Sequence, residues 1–311
     1  MKTMNVLSAL FVSTTLLTTA CTPRDVKVVD EGVRARILEK KNRSKSGYNG
    51  TDFKIGAYAM SAFLMEKQIE AIELVRLAAG YGDAVKTQYQ VSNKSEAAVK
   101  IESTQDDLEY KNSNGAFKGK MTKTFEATVS KEAGDLKSLN IKGNDIKSSA
   151  DSLDKSKNYL NLREDLYELT LANVAGNDAA VEINVAITGS INGSLGAKGQ
   201  TSHFTATLVL KVDKASLATN DVKINSINAT SEYEGSNAGK KFTTTIAGSN
   251  LALQADGLCN KLNGAAAITT DKSKKVVSFD GDVITIGDRW TNGLATCGKR
   301  PTVDLSRLLV Y

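Results

Sequence analysis

Two periods of apolar and polar residues divide the chain. Over Ala57–Ala79, Met65, Ile69, Ile72 and Leu74/Val75 recur at spacings of three and four, with Glu66, Lys67, Glu70, Glu73 and Arg76 filling the other side and Gly80-Tyr-Gly82 closing the run. That spacing predicts an amphipathic helix whose apolar stripe covers one face of a sheet and whose charged side meets water. From Val85 onward the period becomes two. Phe117, Gly119, Met121, Lys123, Phe125, Ala127 and Val129 form one alternating row, Val181 to Ile187 another, and Phe204, Ala206, Leu208, Leu210 and Val212 a third, with His203, Thr205, Thr207 and Lys211 opposite. Strands of this kind are buried on one face only. Shorter candidates lie at 87–91, 166–173, 222–227, 242–246, 251–255, 265–270, 276–279 and 283–286, separated by Asn, Asp, Gly and Ser. Val26–Lys41 also carries apolar residues at helical spacing, and reads equally as a helix or a tether.

The predicted fold is mainly β (α+β): a curved antiparallel sheet, sandwich or partly closed barrel of ten or more strands, with one or two N-terminal helices. Gly189 stands on a core-facing position of the row Ile187, Gly189, Ile191, which implies a bend or a close approach if the strand runs through and a hairpin turn if it does not. The stretch 130–158, rich in Lys, Ser and Asp, reads as a long excursion or an internal boundary.

Composition adds little to this picture: 41% of residues are hydrophobic, enough for a core, and 24 glycines with only 2 prolines suit turns between strands. Charge is more telling. The net +5 is carried by Lys2 and by the segment Arg24–Lys45, where eight bases stand among four acids, so the rest of the chain is formally neutral. A balance so mild, with no basic cluster in the body, gives no reason to expect a nucleic-acid partner. The acids interleaved with those bases read as a solvated, charged tether.

Ahead of that tether, Met1–Asn5 holds one lysine, Val6–Leu17 is a short run of apolar and hydroxyl residues, and Leu17-Thr-Thr-Ala20 meets Cys21. The run is too short to cross a bilayer and has the form of a secretory signal peptide. Leu-Thr-Thr-Ala-Cys resembles the lipobox of bacterial lipoproteins, with Thr18 where that family prefers Leu. The resemblance implies that residues 1–20 are removed, that Cys21 takes a diacylglycerol and further acyl chain such as palmitate, and that 21–46 tethers a body spanning 47–311. Thr22, which is not Asp, implies by the same resemblance the outer membrane, on its periplasmic face. Acyl chains contribute about 0.8 kcal/mol per buried CH₂, so two or three hold a protein to a membrane durably.

Two cysteines then remain, Cys259 and Cys297, and in an exported protein an even remainder implies a disulfide. Closing that loop would stabilise the fold by roughly 4 kcal/mol through chain entropy. No metal site or cofactor is expected, since one histidine and two distant cysteines have no zinc-ligand spacing, and Phe279-Asp-Gly-Asp-Val283 reads as a hairpin turn in preference to a calcium loop. Nucleophile motifs fail too: no Gly-x-Ser-x-Gly elbow accompanies His203, and Ser152-Leu-Asp-Lys155 lacks its companion motifs. Tyr311 with Leu309, Leu305 and Val303 suggests a closing strand, but 6% aromatic residues is thin for a spanning barrel.

The chain is therefore expected to be no enzyme but a lipid-anchored envelope protein with a binding or structural role, partnered by the membrane and by an envelope protein or the cell wall. The alternative is a carrier of a lipid or other apolar ligand, in a cavity lined by Met65, Ile69, Phe117, Met121, Phe204 and Leu208. A third class, an enzyme of unfamiliar type, would need carboxylates, lysines and tyrosines to converge, and no motif predicts that.

Overall fold

The computed structural model describes residues 57–293 apart from short connecting segments. Helix α1 spans Ala57–Ala79. Thirteen strands follow: β1 Gln90–Ser95, β2 Ala98–Asn112, β3 Gly115–Glu132, β4 Asp135–Ser152, β5 Tyr159–Val174, β6 Asn177–Ser194 and β7 Gln200–Asp213 make the first part. The second comprises β8 Asp221–Glu234, β9 Lys241–Gln254, β10 Lys261–Thr270, β11 Ser273–Asp280, β12 Val283–Ile286 and β13 Trp290–Gly293. Each strand pairs with the next in antiparallel fashion, so the sheet is one continuous meander in sequence order. It is neither a sandwich nor, among the described residues, a closed barrel.

The strands are longer than the alternating runs suggest. The row ending at Ile187 continues through Gly189 and Ile191 as β6, so the strand runs through and no hairpin turn interrupts it. The polar stretch 130–158 supplies β4, which pairs with β3 along its whole length and with β5 at both ends. Its alternation is diluted by Ser and Lys, yet Leu136, Leu139, Ile141 and Ile146 still reach the core. Strands of 16 to 18 residues extend roughly 50–60 Å at about 3.3 Å per residue. A 23-residue helix at 1.5 Å per residue covers roughly 35 Å of that length.

Helix α1 ends as its sequence predicts. Gly80, at φ 76°, takes the left-handed position that glycine adopts without Cβ strain. Its N–H donates to the Leu77 carbonyl at 3.1 Å, and the Tyr81 N–H donates to Arg76 at 2.8 Å, the paired bonds of a Schellman cap. Lys131 on β3 donates to the Ala79 carbonyl at 2.7 Å, adding a cation at the negative end of the helix.

The surroundings of α1 differ from the prediction. Met60, Phe63, Leu64, Met65, Ile69, Ile72, Leu74 and Val75 are buried, and so are Glu66, Lys67, Gln68 and Glu70 between them. Among the described residues of the helix only Glu73 and Arg76 reach partial exposure, and Gly80 beyond its end is exposed. The helix contacts strands from β2 through β9, so the sheet must curve around it, since a flat sheet could cover only one face. Breaks in register mark where the ladder gives: within β2 at Gln105/Leu108, within β4 at Asn144 opposite Thr124/Phe125, and within β5 at Glu164/Leu166. Bulges of this kind bend a strand and raise its local twist.

Gly189 shows how tightly the layers meet. A methyl group there would collide with the Arg163 carbonyl oxygen and lie 2.8 Å from Cζ of Phe204, whose ring packs edge-to-face on Phe63 of α1 at 5.2 Å. Gly189→Ala is therefore expected to lower stability by about 1–3 kcal/mol, read as a shifted denaturation midpoint at unchanged slope. An unshifted midpoint would show that this contact has room to relax.

Candidate functional site

The inward charges of α1 do not stand alone. Lys67 and Glu70 sit one helical turn apart, and the concave face of the sheet sends them Lys123 from β3 and Glu164 from β5. Lys123 lies in phase with Met121 and Phe125, so the alternation that buries those residues buries it too. Glu164 follows Leu162 inward, and the bulge after it returns Tyr167 to the same side while leaving Leu166 39% exposed.

Glu70 is the hub. Its Oε2 accepts hydrogen bonds from Lys67 Nζ at 2.9 Å and Lys123 Nζ at 3.0 Å, and its Oε1 accepts one from the Tyr89 hydroxyl at 3.4 Å. Lys67 Nζ also lies in direct contact with Glu164 Oε1. Aromatic rings wall the cluster: Lys67 Nζ stands 5.6 Å from the centre of Phe63 and 5.7 Å from that of Tyr167. Phe125 packs edge-to-face on both Tyr167 at 5.1 Å and Tyr89 at 6.1 Å. Side-chain exposure across the four charged groups is 0–3%, so solvent does not reach them.

Two ammonium groups and two carboxylates make a neutral set, which is how such charges can be buried at all. Burial works against the charged form of Glu70, but Lys123 and Lys67 outweigh it and hold the carboxyl at about 2. Burial likewise disfavours charge on Lys67, yet Glu164 and Glu70 together keep it an ammonium beyond the ordinary lysine range. Glu164, with Lys67 shared against Glu70, is pushed up by burial, and Lys123 is pushed down by the same cause. Burial raises Tyr89 and Tyr167 as well, with the charges of Glu70 and Glu164 acting in the same direction. At the rim, burial and then the charge of Glu70 lift Glu73 to about 8.

The residues expected to line an apolar cavity take different places. Met65, Ile69, Phe204 and Leu208 belong to one continuous core, and Met121 is buried beside it. Phe117 is on β3, paired with Tyr110 and Ser152, and its side chain lies outside the described residues. The seam between α1 and strands β8–β10, where Met65 and Ile69 meet Ile224, Ile227, Leu251 and Leu262, has no room for a water molecule. Cys21, Cys259 and Cys297 fall outside the described residues. His203 is exposed on the outer face; Asp280 on β11 pairs with Val283 on β12, and the two residues of the expected turn between them lie outside the described residues.

That outer face carries a row of threonines. Thr207 on β7 is opposite Thr230 on β8, which is opposite Thr245 on β9, which is opposite Thr269 on β10. The Thr230 and Thr245 hydroxyls are hydrogen-bonded at 3.2 Å. No protein-family model, curated protein or solved structure matches the chain.

Two expectations follow from the cluster. Lys123→Met removes one of the cations that neutralise Glu70 and should cost about 3–5 kcal/mol in chemical denaturation; a loss below about 1 kcal/mol would mean that the cluster is not closed to water. Glu73 binds its proton more tightly folded, at about 8, than at the ordinary 4.5, so its contribution is complete below 4.5 and is lost as pH rises to about 8. Glu73→Gln, which copies the protonated form, should flatten the fall in stability over that window, and an unchanged slope would contradict the assignment. Glu70 works oppositely, stabilising above 4.5 and losing its contribution as pH falls towards 2.

Proposed function

We propose that this is a lipid-anchored protein of the cell envelope, held at the outer membrane by acyl chains on Cys21, with a noncatalytic binding or structural role. The observation that carries the noncatalytic part is the sealing of the cluster. Carboxylates, lysines and tyrosines with displaced pKa values do converge, which is the pattern of an active site. Here, however, helix and sheet close over them, and a substrate has no path to side chains that are 0–3% exposed.

The same closure speaks against a carrier. In that reading the concave face of the sheet would enclose a ligand, and α1 occupies that space with the packed side chains of Met65, Ile69 and Ile72. What the body offers a partner is its outer surface, polar and hydroxyl-rich along Thr207, Thr230, Thr245 and Thr269. Among the described residues no helix is long and apolar enough to cross a membrane. In the proposed arrangement attachment depends on Cys21 and the basic tether after it, at roughly 1 kcal/mol per base near anionic headgroups.

Fractionation of cells tests the anchor. The wild-type protein should sediment with outer membranes and be released by detergent, whereas Cys21→Ser should no longer be retained by them. Retention of Cys21→Ser on the membrane, or a soluble wild type, would overturn the proposal.

A further inference from the structure

We propose that Arg76 is a two-position switch at the C-terminal end of α1, which fastens the connection between β7 and β8 to the helix while Glu73 is uncharged and turns to the Glu73 carboxylate once that group ionises. The docked position is the one seen. Arg76 Nε donates a hydrogen bond to the Leu217 carbonyl at 3.0 Å, and its Nη2 donates one to Asn220 Oδ1 at 3.5 Å. Both acceptors belong to the connection, whose 3₁₀ turn Ala215–Ala218 carries the buried Leu217. Among the described residues no ion pair joins Arg76 to Glu73, although the two stand one helical turn apart, the spacing at which opposite charges on a helix meet.

The state of Glu73 follows from what faces it. Glu70, one turn before it on α1, is ionised and held by two lysines, and a half-buried carboxyl beside an existing carboxylate resists taking a second negative charge. Lys123 on β3 and Arg76 pull the other way, less strongly than burial and Glu70 push, and the Tyr89 hydroxyl ahead of β1 also senses the charge of Glu73. The connection adds no charge at this point. Ala215 to Ala218 are neutral, Asp213 accepts the Ser216 N–H at 2.8 Å, and Lys214 lies 3.8 Å from Asp135. Glu73 therefore stays protonated up to about 8.

Ionisation changes which acceptor Arg76 favours. A guanidinium bonded to two uncharged oxygens can exchange them for a carboxylate, which accepts two parallel N–H donors and adds the attraction of a full opposite charge. Repulsion from Glu70 drives the newly charged Glu73 the same way, towards the next turn of the helix, where Arg76 stands. The Leu217 carbonyl and Asn220 then lose their bonds to α1, while Lys131 keeps its own bond to the Ala79 carbonyl. The connection is thus docked on the helix in acidic and neutral surroundings and released from it in alkaline ones.

NMR of the isotope-labelled full-length protein, purified in detergent, tests the switch. The Glu73 carboxyl carbon should titrate with a midpoint of about 8, and the Leu217 carbonyl carbon should shift with the same midpoint. In Glu73→Gln, which copies the uncharged form, the Leu217 signal should hold its low-pH position throughout. In Arg76→Gln it should not move with pH, although Glu73 still titrates. A Leu217 carbonyl that stays still while Glu73 titrates in the wild type would overturn the proposal, and so would one that shifts alike in the wild type and in either variant. A Glu73 midpoint near the ordinary 4.5 would overturn it as well.

Discussion

The structure depends on neutralising charge inside the sheet. Helix α1 could not lie within the curve of the strands if Lys67 and Glu70 entered it unpaired, because an isolated buried ion costs several kcal/mol even after relaxation. Lys123 and Glu164 remove that obstacle from the sheet side, with Glu70 bonded to both lysines at 2.9 and 3.0 Å. Apolar burial drives the packing around this point and the ionic contacts fix its register. A rotation of α1 by one residue, about 100° around its axis, would leave four charges facing hydrocarbon.

From that constraint the rest of the architecture follows. A helix buried on nearly all sides needs a wall on nearly all sides, and a single meander supplies it only by curving. Curvature demands places where the ladder gives and the layers approach, and these are the bulge after Glu164 and the close contact of Gly189 with the Arg163 carbonyl. The bulge has a second effect, since it turns Glu164 and Tyr167 to the same side and so builds the glutamate into an aromatic-walled site.

Much of the fold is legible in the chain, and the parts that are not have identifiable reasons. Alternation names the inward rows of β3, β6 and β7, and Gly80 marks the end of α1. The helix is misread as amphipathic because Glu66, Lys67 and Glu70 look like a solvated side until their partners are known, and the partner of Lys67 at Glu164 lies 97 residues away. One signal was present: Lys123 occupies an inward position between Met121 and Phe125, and a charge in an apolar row calls for a buried counter-charge. Glu164 gives no such sign, since the bulge after it breaks the alternation that would have placed it inside.

Placing α1 at the centre of the folded body is the claim on which the closed cluster and the noncatalytic reading both rest. Amide hydrogen exchange of the native protein tests it most directly. The backbone amides of 63–75 should exchange only through global unfolding, with protection equal to that of the central strands β6 and β7. Exchange of those helix amides by local opening while β6 and β7 stay protected would contradict the account.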